Sequence, residues 1–327
     1  MLGLWRIVAD AHAPLRLAST NEGIDAEGAH RFAEIGRLVF ADRDRYLADP
    51  GFAAIPGGTA ALLDDDYLAR RATLVGDRAM PGPASPGLVA GAAASSGRSF
   101  EHAATTHVSI VDSRGNAVAM TSSIESAFGA RIMVRGFLLN NQLTDFSFAP
   151  TRDGAAVANR VQPGKRPRSA MAPTLVLDQA SGDLELVIGS PGGPSIINYV
   201  ARSLISILDD GVDAQPAVSM PNLGNRNGPT ELERGRAPRA LADALRARGH
   251  DIREVDMTSG LHAIALDCPP PPRHHRRCTL AGAVDPRREG SAIGVAPPHA
   301  ASAANGRGAS GRATAASARK RPWTDAR

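Results

Sequence analysis

The chain has 327 residues, 43% hydrophobic and 21% charged, so it can bury a sizeable core in one large domain or two smaller ones. Aromatic residues are only 4%, which leaves that core to Leu, Ile, Val and Ala. The net charge of +4 gathers late in the chain, at "RHHRR" (273–277) and in six basic residues against the single acid Asp325 after Asn305. This reads as a solvated, disordered tail from 295 to 327 rather than as a surface for nucleic acid or membrane.

The opening "MLGLWRIVADAHAPLRLAST" has no basic region ahead of its apolar stretch, and Arg6, Asp10 and Pro14 interrupt that stretch. The expectation is that it is no signal peptide and that the chain as written stays in the cytoplasm. No apolar run approaches membrane-spanning length. Residues 28–48 then read as a helix with Phe32, Ile35, Val39 and Arg43 on one face, stopped by Asp49-Pro50-Gly51. A short helix is expected over 64–74, where Asp64, Asp65 and Asp66 suit the positive end of the helix dipole. Pro, Gly, Ala and Ser dominate 80–99, a composition that predicts a flexible arm.

Beyond that arm the period changes to two. Val108, Ile110, Val118 and Met120 alternate with polar or small residues around "DSRGN" (112–116), a hairpin signal. A second hairpin is expected from 172–178 and 184–190. An amphipathic helix follows from residue 196, with Ile197, Val200, Leu204 and Leu208 in line and Gly211 as its stop. Another helix is expected over 240–250, then strand-like pieces at 261–266 and 280–285. Cys268 and Cys278 make no disulfide framework, and the four prolines, His274 and His275 between them match no standard zinc spacing, so a surface loop without metal is expected. The element order predicts an α+β sandwich of antiparallel sheets with helices outside.

The chemistry begins at "HAATTHVSI". A threonine hydroxyl is a poor nucleophile without a base beside it, whereas an N-terminal threonine carries its own base in an α-amine of pKa near ~8. Ala104-Thr105, a small residue and a threonine on the arm ahead of a strand, suits a chain that cuts itself there. An ordinary edge strand with polar residues at its mouth is the other reading of the same residues.

Several segments together resemble the γ-glutamyltranspeptidase (glutathione hydrolase) family: "FADRDRYLADP", "TTHVSIVDSRGNAVAMTSSIESAFGA", "GFLLNNQLTDFSF", "KRPRSAMAPT", "GSPGGPSIINYV", "MPNLGNRNGPTELE" and "DPRREGSAIG". They keep family order over about residues 24–294. The resemblance implies an N-terminal-nucleophile αββα sandwich, here incomplete at its N-terminus. Residues 1–104 would be the end of the large subunit and 105–294 the catalytic small subunit, the two fragments staying associated after self-cleavage.

The resemblance also implies roles. Thr105 would be the nucleophile of both cleavage and acyl transfer, with Ser123 contacting it. Glu125, Gln142, Asp145 and Ser169 would bind substrate, and Asp145 would pair with its α-ammonium. Gly192 and Gly193 would offer backbone N–H groups to the oxyanion. The implied substrate is glutathione or another γ-glutamyl compound, with water or an amino acid as acceptor and no cofactor. Taken singly, Asn140, Asn141 and Gln142 read equally well as a polar turn, Asp145 as a cap, "PGG" as a turn and "KRPR" as a solvated loop. The chain departs from the family pattern at Ala170, where a second serine is usual, at Pro194-Ser195, and in the insertion between the cysteines. The family's upstream region, with an arginine for the substrate α-carboxylate, has no recognisable counterpart. A glutaryl-type acylase of the same fold and a truncated, inactive remnant are the alternatives.

Overall fold

The computed structural model describes residues 1–19, 23–92, 95–97, 104–268 and 278–294. The expected tail from 295 and the insertion between the cysteines lie outside these residues. Cys268 and Cys278 themselves are joined in a single disulfide, a pairing that the sequence reading did not foresee.

The first helix, α1 (Leu2–Ala11), buries Leu4, Trp5 and Val8, and the Trp5 indole donates to Asp209 at 3.0 Å. No helix was expected there. Helix α2 (Ala26–Tyr46) starts two residues before its expected place because Asp25 caps it, accepting from the Gly28 N–H at 2.9 Å. Phe32, Ile35 and Leu38 point into the core. Helix α3 (Asp65–Ala72) is capped in the same way by Asp64, which accepts from the Tyr67 N–H at 2.9 Å.

The stretch expected to be flexible makes contacts with other segments at several points. The Gly87 N–H donates to Asp42, the Ala84 N–H to Asn227, and the Gly97 N–H to the Asp44 carbonyl. Its Gly and Pro content excludes regular structure but not partners, since side chains and one carbonyl of other segments accept from its backbone.

Strands β1 (Thr105–Val111) and β2 (Ala117–Ser123) pair antiparallel, Thr105 opposite Ser123. The turn between them is locally built. Asp112 Oδ1 accepts from the Arg114 and Asn116 N–H groups at 2.8 and 2.9 Å, and Gly115 takes φ +86°. Strands β3 (Thr174–Leu177) and β4 (Leu184–Gly189) form the second expected hairpin. Helices α4 (Ile196–Leu208) and α5 (Ala214–Ser219) follow.

Strands β5 (Leu223–Asn225) and β6 (Thr230–Glu233) lead to helix α6 (Arg239–Ala247) and strand β7 (Ile252–Val255). The three strands make a sheet of order β5-β6-β7, antiparallel and then parallel, which the sequence reading missed. The last strands, β8 (His262–Asp267) and β9 (Thr279–Val284), complete an antiparallel sheet of order β9-β8-β4-β3.

The alternation of β4 sets the layers. Leu186 and Ile188 face α4 and α5, together with Tyr199, Val200, Leu204 and Val218. Val187 faces the other way, onto Val111, Ala117 and Ala119 of the β1–β2 hairpin, and Leu184 joins it there because a register shift between Leu184 and Leu186 breaks the alternation. Helix α4 is buried on nearly all sides rather than on one face. Val200 and Leu204 meet the sheet, while Ala201 and Ile205 meet α1, α2 and the three-stranded sheet. The molecule is thus α+β, layered as helices, sheet and hairpin. Among the described residues no helix covers the outer face of the hairpin: Val108, Ile110, Val118 and Met120 are between 36% and 53% exposed.

Candidate active site

The hairpin register decides between the two threonines. Thr106 is exposed on the outer face, whereas Thr105 points inward, half-buried, opposite Ser123. Thr105 Oγ1 donates to Ser123 Oγ at 3.3 Å, and Ser123 Oγ donates to the carbonyl oxygen of Ala104 at 2.7 Å. One hydroxyl therefore touches both the threonine and the carbonyl of the peptide bond before it. Ser123 Oγ also accepts from the Glu125 N–H at 2.9 Å. That bond holds Glu125 at φ +74°, a left-handed conformation costing about 1–3 kcal/mol in a residue with a Cβ.

A small pocket opens beside Thr105, lined by Ser123, Glu125, Gln142, Asp145, Ser169 and Gly193. Ala170, Met171 and Ile196 make its apolar side, which the sequence reading did not assign. Glu125 and Asp145 are buried, and the Gln142 amide lies between them, donating to Asp145 Oδ2 at 2.9 Å and to Glu125 Oε2 at 3.3 Å. Thr144 Oγ1 donates to the Asn141 carbonyl at 3.0 Å and to Glu125 Oε1 at 3.4 Å. Two carboxylates brought together in a buried pocket give it a negative character that suits a cationic group.

The polar residues around the pocket form more than a turn. Asn141 ties the two loops together, accepting from the Ser126 N–H at 2.9 Å and donating to Ser126 Oγ at 3.0 Å. Fully buried Asn159, absent from the sequence reading, donates to the Asp145 carbonyl at 2.8 Å and accepts from the Arg168 N–H at 3.0 Å. It fixes the backbone of Asp145 against that of the residue before Ser169.

"KRPR" is solvated only in part, at exposed Arg166. Lys165 and Arg168 are buried, and Arg168 pairs with Asp44 of "FADRDRYLADP" at 2.8 Å. The pair joins those distant segments at a mostly buried contact. Gly192 and Gly193 both take positive φ, at +136° and +58°. Gly193 lines the pocket. Gly192 lies against Tyr199, where a Cβ would come within 2.5 Å of the ring.

Beneath β1, buried His107 contacts Thr121 Oγ1 at 2.8 Å and Ser109 Oγ at 3.1 Å. Burial, followed by the neighbouring His262, pushes its pKa down to about 4, so it is neutral at pH 7. A larger cavity of about 320 Å³ lies nearby, bounded by Phe40, Arg43, Arg168, Pro194, Arg226 and Arg253 among others. Among the described residues, its lining offers arginines and carboxylates but no hydroxyl, thiol or imidazole, whereas the smaller pocket is lined by Thr105, Ser123 and Ser169.

The model of the gamma-glutamyltranspeptidase family matches residues 11–295. The chain belongs to that family. It is 34% identical over 297 residues to a glutathione hydrolase proenzyme of Pseudomonas aeruginosa, covering 86% of this chain and 49% of the relative. It is 32% identical over 272 residues to an acylase ACY 1 proenzyme of Pseudomonas sp. strain SE83, covering 82% of this chain and 44% of the relative. The crystal structure of a cephalosporin acylase from Bacillus halodurans shares the fold at a TM-score of 0.68 and 23% identity, over 88% of this chain and 48% of that one. The chain thus spans about half the length of the relatives it matches. The expected α+β class and the family resemblance are both met.

Proposed function

We propose that this family member hydrolyses or transfers γ-glutamyl groups through Thr105, exposed as a new N-terminus when the chain cuts itself after Ala104. The observation that carries the reading is the chain of contacts from Thr105 Oγ1 to Ser123 Oγ to the Ala104 carbonyl. Thr105 Oγ1 attacks the Ala104 carbonyl carbon, and Ser123 stabilises the charge that develops on its oxygen. The peptide nitrogen leaves as the amine of Thr105, an ester remains, and water opens it.

The freed amine then serves as base for the same hydroxyl. The hydroxyl attacks the γ-carbonyl of a bound substrate, the amine of the leaving group departs, and water or an amino acid releases the acyl group. Asp145 and Glu125 receive the α-ammonium, and the backbone at Gly192 and Gly193 faces the developing oxyanion. Each step uses side chains, backbone and water alone, without a cofactor. The names of the relatives, which are proenzymes, agree with a self-processing chain.

The acylase relative supports a second reading, a glutaryl-type acylase. The buried Asp145 and Glu125 weigh against it, since a glutaryl group has no ammonium to offer them. Among the described residues the pocket lining holds no arginine or lysine for the α-carboxylate of a γ-glutamyl group. We therefore expect a group outside this lining to supply that cation.

The test is intact mass during incubation together with turnover of γ-glutamyl- and glutaryl-p-nitroanilide. Fragments 1–104 and 105–327 from the wild type, none from Thr105→Ala, and a loss of about 10- to 150-fold confined to the γ-glutamyl substrate in Asp145→Asn support the reading. Equal losses on both substrates favour the acylase.

A further inference from the structure

A two-stranded hairpin leaves the outward carbonyls of β1 without strand partners. Two of them are nevertheless taken. The Thr105 carbonyl accepts from Arg288 Nη1 at 3.2 Å, and the His107 carbonyl accepts from His262 Nδ1 at 2.8 Å. Positions 105 and 107 are two apart, so both carbonyls leave the strand on the same side. Side chains from β8 and from the turn after β9 stand where a neighbouring strand would.

The Arg288 guanidinium is itself anchored. Its Nε and Nη2 donate to the Thr258 carbonyl at 3.3 and 3.0 Å, so one planar group bridges the backbones of Thr105 and Thr258. Buried ions fix the turn that carries it. Asp285 accepts from Ser259 Oγ at 2.5 Å and from the Leu261 N–H at 3.1 Å. Arg287 pairs with Glu233 at 2.5 Å and with Asp285 at 2.9 Å. Gly260 and Gly290 let the two donors in: added Cβ atoms would lie 2.8 Å from Arg288 Cδ and 2.6 Å from His262 Nε2.

We propose that Arg288 is a positioning residue of the nucleophile. It holds the backbone of Thr105, and with it the direction of the hydroxyl and the nascent amine, without touching substrate. The proposal rests on the reading of Thr105 as the nucleophile. Thr105 is the first residue of its strand, where pairing frays most readily, so a side-chain tether there steadies the end of β1 that carries the hydroxyl. Glu125, Gln142 and Asp145 stand on other segments. Loss of the tether should therefore misplace the attacking group and leave substrate recognition in place.

The experiment compares the full chain as wild type, Arg288→Ala and Arg288→Lys, and Arg288→Ala with guanidinium ion added at tens of millimolar. It reads the rate of splitting at Ala104–Thr105 by intact mass, kcat and KM of the split protein on γ-glutamyl-p-nitroanilide, and the melting temperature. Expected for Arg288→Ala are splitting and kcat lowered by about 10- to 100-fold, KM within about threefold of wild type, and a melt shifted by only a few degrees. Added guanidinium should restore part of both rates, and Arg288→Lys should fall between. Wild-type rates in Arg288→Ala overturn the proposal, as does a slow variant that guanidinium does not rescue and whose melt has collapsed. A folded wild type that never splits overturns the nucleophile reading instead, and this assignment with it; that outcome is seen without any substitution.

Discussion

Removing the hydroxyl of Ser123 tests the geometry at Thr105 most directly. Ser123→Ala deletes three contacts at once: to the Ala104 carbonyl at 2.7 Å, to Thr105 Oγ1 at 3.3 Å and to the Glu125 N–H at 2.9 Å. In the resting chain each is worth about 0.5–1.5 kcal/mol, and the 3.3 Å contact least. Solvent at the half-buried site replaces part of them, so the stability loss should be about 1–2 kcal/mol, a fall of a few degrees in Tm. The kinetic effect is larger. As Thr105 Oγ1 attacks, the Ala104 oxygen becomes an oxyanion, and losing one donor to such a centre costs about 3–4 kcal/mol, or 10²–10³ in rate.

Ser123→Thr keeps the hydroxyl and should split within about tenfold of wild type. The assay is a denaturing quench at intervals followed by intact mass, with Thr105→Ala as the uncut reference and thermal melts to show that each variant is folded. A folded Ser123→Ala that splits as fast as wild type would refute the assignment of Ser123 to the scissile carbonyl.

Three further outcomes follow from the packing. Gly189→Ala should destabilise by about 1–3 kcal/mol in urea unfolding, because the new Cβ would sit 2.2 Å from Cε1 of buried His107; a neutral effect would mean that the hairpin is not seated on β4 as described. The buried pair His30–His250, joined at 2.7 Å, should make the protein acid-sensitive. Burial lowers both pKa values, that of His250 to about 3, so the unfolded chain takes up protons first as pH falls below 6.5 and stability is lost from there down to about 3. From His250 alone the loss between pH 6.5 and 5 is about 2 kcal/mol, and His250→Asn should flatten that slope in denaturant titrations at the two pH values. Finally, the open face of Val108, Ile110, Val118 and Met120 should bind a hydrophobic dye, and Ile110→Lys with Val118→Lys should abolish that signal while shifting Tm by no more than a few degrees.

Local physics made part of this molecule legible from the chain alone. The acidic start of α3, the 112–116 turn and the second hairpin rest on groups a few residues apart, so their side chains carry the instruction wherever the segment sits. Motif order carried the family and the candidate residues. Tertiary structure decided the rest. Helix α4 looks amphipathic as an isolated stretch, yet it is buried on nearly all sides because two cores meet on it. The strands of the three-stranded sheet are three or four residues long, and their place depends on α2 and α4 rather than on any period of their own. Only the hairpin register turns Thr105 rather than Thr106 inward and sets it against Ser123. Asn159 and Arg288 act through long-range backbone contacts, Arg288 across 183 positions of sequence. An asparagine or arginine has no local signature for such a contact, since its meaning comes from which carbonyl the folded chain brings within reach.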